Sequence, residues 1–462
     1  MKKNIILVLL IIFMCIPVAV MAVPSAPPGE PNGEPSSSQT SVSYNGTTIV
    51  SVDTNESGKT YTSFNGGENA LLVSGGISTI TSPNVAKTGD SSGDEADFYG
   101  TNAAVLVYNG ATLNINGGTV TTNGSHANGI FAYGTGIINI SDSTINTLAD
   151  NSGGIMVTGG GNLTASNLTI KTTGNSSAAI RSDRGGGVIT VDGGNYETNG
   201  VGSPSVYSTA DITVNNASLI STKSEGVVVE GANSVTLNNT TLTDTNTTLN
   251  GNSETYKNIF LYQSMSGDAD AGTALFTSKN SNITTDKGDT MFVTNTTAII
   301  TLENNTFTNN DGDFLRIQKG KWGNSGSNGG NVTLNLTNQN VEGNIIVDNI
   351  STLNIKMDNS STFTGAIDTE NQAKEISITL SSDSTITLTN DTYIDSLTNE
   401  DSTNSNINLN SHKLYVNGTQ INKIPNNSTT TSLDTMTTVI GVILGILALV
   451  VIILIIRKRK NR

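Results

Sequence analysis

The chain has 462 residues, with 38 Asp and Glu against 23 Lys and Arg for a net charge of −15, and only one cysteine and two histidines. An acidic balance of this size repels phosphate backbones and anionic lipid headgroups, which excludes a nucleic-acid-binding role. A lone Cys15 excludes a disulfide scaffold and thiol chemistry in the processed chain.

Residues 1–22 read as an export signal. Lys2 and Lys3 open it, residues 5–16 form its apolar run, and Val20-Met21-Ala22 is a small-residue cleavage site. Met14 stands before Cys15 where a lipoprotein box needs a small residue, so lipid attachment is not expected. Residues 23–40, VPSAPPGEPNGEPSSSQT, are too rich in Pro, Gly and Ser to pack a core and read as a flexible leader. The region 41–425 is expected to be the folded ectodomain. Its first strand is SVSYNGTTIVSV, and an irregular first coil follows over residues 65–99, with an acidic insertion at 90–97.

A short pattern then returns about every 25 residues, in ATLNINGGTV, GIINISDSTI, GNLTASNLTI and GVITVDGGNY. Two alternating apolar residues precede a polar turn and a third large residue. They are Leu113, Ile115 and Val120, then Ile138, Ile140 and Ile145, then Leu163, Ala165 and Ile170, then Ile189, Val191 and Tyr196. Alternation with period two marks strands, and the Gly, Asn and Asp pairs mark turns. Ile212, Val235, Ile300 and Ile386 open further copies, the last of which takes Ile386, Leu388 and Tyr393 as its inward set. Looser copies sit at Phe276, Val332 and Leu353. A shorter strand precedes most copies, as in AVLVY, GIFAY, GIMVT and GVVVE. Three strands per repeat suit one coil of a parallel β-helix. A lone coil buries about five aliphatic side chains at roughly 1.5–3 kcal/mol each, less than the backbone entropy of ordering about 25 residues at roughly 1–2 kcal/mol apiece. Coils must therefore stack, and about eleven copies at about 4.8 Å give a rod of order 50 Å.

Residues 402–421 keep strand alternation and are expected to cap the solenoid. Residues 426–438 form a Ser/Thr spacer, and residues 439–456 are eighteen consecutive uncharged Val, Ile, Leu, Ala and Gly, followed by the basic tail 457–462. That is the length and flank of a membrane-spanning helix with a cytoplasmic tail. The expected topology is a single-pass protein with its N-terminal ectodomain at the cell surface. Without the seven cations of the signal and tail, the exported part holds 16 basic against 38 acidic residues, a net of −22.

Parallel β-helices often carry sites that cleave polysaccharides, so paired carboxylates and cations matter here. Arg181-Ser182-Asp183-Arg184 is the best cluster, with His126 about two coils earlier. A uronate-cleaving site would use Arg181 as base and Asp183 with Ca²⁺. A solvated local ion pair worth under ~1 kcal/mol explains the same residues, so no catalytic residue is assigned. GDADAG, with Asp268 and Asp270, and NNDGD, with Asp311 and Asp313, are weak Ca²⁺ candidates that lack a full calcium-loop spacing. No other cofactor is expected. Trp322, in the insertion KGKWGNSGSNGG, is a candidate ligand contact able to stack on a sugar ring. Asn-x-Ser/Thr triplets at Asn162, Asn167, Asn216, Asn238 and elsewhere allow N-glycosylation. Thr-x-Thr pairs occur, but no single aligned file of them over many coils is evident.

Repeats of the form NGATLNINGGTVTTNG, each led by a strand such as GIFAY or GIMVT, and the closing NLNSHKLYVNG resemble the adhesin-like surface proteins of methanogenic archaea and some Gram-positive gut bacteria. The resemblance spans roughly residues 61–421 and implies an all-β, right-handed, pectin-lyase-like parallel β-helix. Pectinase signatures such as Asn-Thr-Asp or Gly-His-Gly, and a sortase motif before the anchor, are missing from the sequence. The expected function is contact with glycans or proteins of neighbouring or host cells. The alternatives are a membrane-tethered polysaccharide lyase or hydrolase and a passive layer of the cell envelope.

Overall fold

A computed structural model describes residues 42–421, apart from residue 252. The expected signal, leader, spacer, membrane helix and tail lie outside the described residues. Among the described residues no helix is long and apolar enough to cross a membrane.

The chain winds into an all-β, right-handed-type parallel solenoid of about 15 turns. Each coil contributes three strands, as in Ile130–Tyr133, Ile137–Ser141 and Thr144–Thr147. First strands form a 12-stranded sheet, while second and third strands join in a 22-stranded sheet that the C-terminal third strands leave as a separate 4-stranded one. Residues one repeat apart pair in parallel, so Ile130 lies beside Ile155, Ile138 beside Leu163 and Ile145 beside Ile170. All twelve inward residues of the four clearest repeats are buried in one continuous core.

The corner between second and third strands explains the Asn-rich composition. It is turned by one residue in the left-handed region: Asp142, Asn167, Asn216, Asn239, Asn280 and Asn304, with φ between 49° and 54°, and Gly117 at 70°. Asn and Asp tolerate this conformation better than other side-chain-bearing residues. Successive corners bond along the rod, with Asn304 Nδ2 donating to Asn280 Oδ1 at 2.8 Å. Two residues after the corner an outward Thr or Ser begins the third strand, as at Asn167–Thr169 and Asn216–Ser218, so the fold itself writes several Asn-x-Ser/Thr triplets.

Backbone N–H groups just past the corner take side-chain acceptors from the next coil. Thr240 N donates to Ser281 Oγ at 3.1 Å, Ser281 N to Asn305 Oδ1 at 3.0 Å, Asn305 N to Gln339 Oε1 at 2.8 Å and Gln339 N to Ser361 Oγ at 3.1 Å. A second ladder runs through Ser152, Ser177 and Ser203 between the third and first strands. These ladders satisfy buried donors where sheet pairing lapses.

Three expectations change. The count of about eleven coils is too low. Gly46–Val50 already pairs with Asn69–Val73, one turn before the expected first coil. Near the C-terminus Ile386 and Leu388 lie on a third strand, beside Phe363 and Gly365, not on a second strand. The second strand of that coil is Glu375–Leu380, and Ile394, not Tyr393, enters the core; Tyr393 instead stacks on Tyr415 at 4.8 Å. Thr-x-Thr pairs form no aligned file on these strands, as expected, but single threonines do align. Thr164, Thr190, Thr213, Thr236, Thr277 and Thr301 form one outward file on the second strands, because coil lengths of 23 to 41 residues hide their register in the sequence. At the end of the rod the strand Leu414–Val416 turns back on Thr419–Ile421 in antiparallel fashion, the expected cap.

Candidate functional site: a cleft on the first-strand sheet

One outward residue per first strand forms a file down the rod. In its N-terminal part this file is apolar: Leu72, Leu106, Phe131 and Met156 cluster under the segment that holds the short helix Asp94–Tyr99. Gly100, at the end of that helix, sits against Phe131 and Leu106 so closely that a Cβ would lie 2.8–2.9 Å from their side chains. Thr158 Oγ1 donates to Phe98 O at 2.6 Å and pins the same segment.

Beyond Met156 the file continues as Arg181, Tyr207, Val228, Phe260 and Phe292, each one coil from the last. Here the cover parts into a cleft. Its cavity is about 130 Å³, with Tyr207, Lys257, Phe260, Tyr262, Phe292 and Trp322 among its walls and the exposed Glu254, Lys319 and Lys321 at its rim. Phe260 and Tyr262 are stacked at 4.4 Å, and the Trp322 ring lies 5.7 Å from Tyr262. The insertion carrying Trp322 is held by Asn328 Nδ2, which donates to Gly320 O at 2.8 Å and Trp322 O at 2.9 Å.

Glu230 ties the aromatic wall together. It is buried, accepts from Tyr207 Oη at 2.5 Å and Tyr262 Oη at 2.8 Å, and is bonded by Ser264 Oγ. Burial, with the Glu230 charge among the further causes, holds both tyrosine hydroxyls well above their ordinary range, so they stay protonated donors. Lys257 pairs with Glu225 at 3.2 Å, donates to Ser253 Oγ at 2.9 Å and lies 4.6 Å from the Phe260 ring centre. That fixes a cation against the aromatic floor.

A second depression of about 250 Å³ shares Tyr207 and Pro204 with the first. It contains the sequence-predicted cluster. Arg181 Nη2 pairs with Asp183 Oδ2 at 3.0 Å, both largely buried, and Arg184 Nε pairs with Asp268 Oδ1 at 2.7 Å across 84 residues of chain. The pair Arg181–Asp183 is thus buried, not the solvated turn expected from the sequence. Burial pushes the Asp183 carboxyl up to about 6 against the pull of Arg181. His126 is bonded to Asp97 on the short helix at 2.7 Å and to Asn151 Nδ2 at 3.2 Å, not to Arg181 or Asp183.

Asp268 also accepts from Ser266 Oγ at 2.8 Å, and Asp313 pairs with Arg316 at 2.5 Å, which in turn holds Asp289 at 2.7 Å. Among the described residues no three acidic, His or Cys side chains, Asp270 and Asp311 included, are arranged to hold a metal ion. The sequence singled out Trp322, which lines the aromatic cleft, and Arg181–Arg184, of which Arg181 and Asp183 line the second depression. It missed Tyr207, Glu230, Lys257 and Tyr262. One usable signal was the Glu closing GVVVE, a charge at an outward position of an otherwise apolar strand.

The arrangement offers flat aromatic faces, fixed hydroxyl donors and mixed charges along about four coil spacings, roughly 19 Å. Such surfaces recognise sugar rings through stacking and directed hydrogen bonds. The buried carboxylates are committed to internal partners, Asp183 to Arg181 and Glu230 to two tyrosines and Ser264. No known protein family, curated protein or solved structure matches this chain.

Proposed function

We propose that the chain is a membrane-anchored, adhesin-like protein of the cell surface that uses its solenoid to contact glycans on neighbouring or host cells. The cleft walled by Tyr207, Phe260, Tyr262 and Trp322 carries this reading. It gathers five aromatic side chains, it lies on the side of a continuous sheet, and its tyrosines are braced by Glu230. The C-terminal apolar segment at 439–456 and the signal-like N-terminus support display outside the membrane.

A glycan array probed with the purified chain tests the reading. Binding to an extended oligosaccharide that weakens on Trp322→Ala, with unchanged circular dichroism, supports it. Binding unaffected by that substitution, or new reducing ends from a bound glycan, would move the function elsewhere: the first to another face, the second to a tethered lyase or hydrolase.

A further inference from the structure

The outer face of the second strands carries two adjacent files of a different character. One runs Ile77, Thr112, Ile137, Asn162, Val188, Asp211 and on through Ser234, Leu275, Ile299 and Thr333, each residue registered on the next coil. Two positions along each strand lies the second file, with its run of six threonines. Ile77, Ile137, Val188, Leu275 and Ile299 are 38–63% exposed, so five of the large apolar side chains left in solvent share one line. Single exposed aliphatics need no explanation, but a registered line of them does. Asp211 is the only charge in either file over this span, on a chain of net charge −15.

We propose that this face binds a second copy of the chain, face to face and with the rods antiparallel. The two files make a strip about 48 Å long and about 13 Å wide, on the order of 600 Å² per copy, which reaches the lower bound of a standard stable interface. Two acidic rods approach each other only where charge is sparse, and this strip is such a place. The register follows from Asp211. A two-fold axis lying along the strands, between the coils of Asp211 and Ser234, keeps the aliphatic file facing itself. It sets Val188 against Leu275 and Asp211 against Ser234, whose hydroxyl already donates to Asp211 within one copy at 2.9 Å. An axis along the rod instead opposes Asp211 to itself or lays the aliphatic file on the threonines. This deepens the contact function by naming a partner for a face distinct from the cleft. With C-terminal anchors, which rest on the proposed function, antiparallel rods join copies displayed on facing membranes.

The test uses the full chain with Cys15→Ser, so that every thiol is an introduced one. Under mild oxidation, a mixture of Val188→Cys and Leu275→Cys chains forms a covalent dimer, and neither variant alone does. Light scattering of the purified chain in detergent, corrected for bound detergent, gives twice the 48.0 kDa of one copy. Leu275→Lys and, independently, Thr213→Lys return it to one copy with an unchanged β-rich spectrum. A single-copy mass at all concentrations, a dimer indifferent to both lysines, or self-crosslinking of Val188→Cys would overturn the proposal. Glycan binding at the cleft is unaffected by these variants, so failure here leaves that reading standing, and the converse.

Discussion

Asp244 gives the sharpest test of how this solenoid is built. It lies on an inward file whose other members include Thr147, Thr172, Thr198, Ser221 and Thr285. Oδ1 accepts from Asn246 N at 2.8 Å, whereas Oδ2 is buried with no hydrogen-bond partner. Burial, helped by the Glu225 charge, raises its carboxyl from 3.8 to about 8. The folded state therefore keeps a proton that the unfolded chain releases near pH 4. Its stability contribution is fully present below about pH 4 and falls by about 1.4 kcal/mol per pH unit until the folded value is passed. Asp244→Asn keeps the acceptor for Asn246 and removes the titration. Relative to wild type, the variant should gain about 2–3 kcal/mol between pH 5 and pH 7. Coupling in stacked coils is local, so the assay is hydrogen exchange of the Thr241–Asp244 amides, with thermal melts beside it. A wild-type-to-variant difference that is the same at pH 5 and pH 7 would refute the argument.

Three further outcomes follow from the same geometry. Ile140→Asp puts an ionisable group into the core and should cost several kcal/mol, whereas Asn139→Asp on the solvent side should shift the melting temperature little; equal shifts would mean the strand register is wrong. Asn305→Ala removes the acceptor of Ser281 N and the partner of Ser278 Oγ, so coil opening measured by exchange should become easier by about 1–3 kcal/mol. A chain stopped near Thr430 should be exported and soluble after a high-salt wash of the membranes, and its retention there would disprove the C-terminal anchor.

The fold was readable because burial acts on a period. Wherever Ile, Val and Leu alternate at constant spacing, as from Leu113 to Tyr196, the inward residues follow from the sequence alone. Reading failed where coil length changes. Thr352–Asp358, Glu375–Leu380 and Ser396–Asn399 are successive second strands, yet their registered spacings of 23 and 19 residues let Ile386 pass for an opening residue. The cleft was harder still. Tyr207, Glu230 and Tyr262 are 23 and 32 residues apart and meet only because each coil sets them on the next. Arg184 and Asp268, 84 residues and three coils apart, meet because the loop between Lys257–Tyr262 and Thr273–Lys279 reaches back along the rod. Trp322 was visible because an aromatic in a Gly-rich insertion has no core to enter, though its seat against Tyr262 required the register.

The cleft as contact site is the central claim, and Trp322 is the chain's only tryptophan, so its fluorescence reports on that site alone. Titrating the purified chain with the oligosaccharide selected on the array should shift and saturate the emission at the concentrations that saturate binding. Glu230→Gln, which replaces the charge holding Tyr207 and Tyr262, should weaken both together. Saturable binding with no change in Trp322 emission would contradict the account.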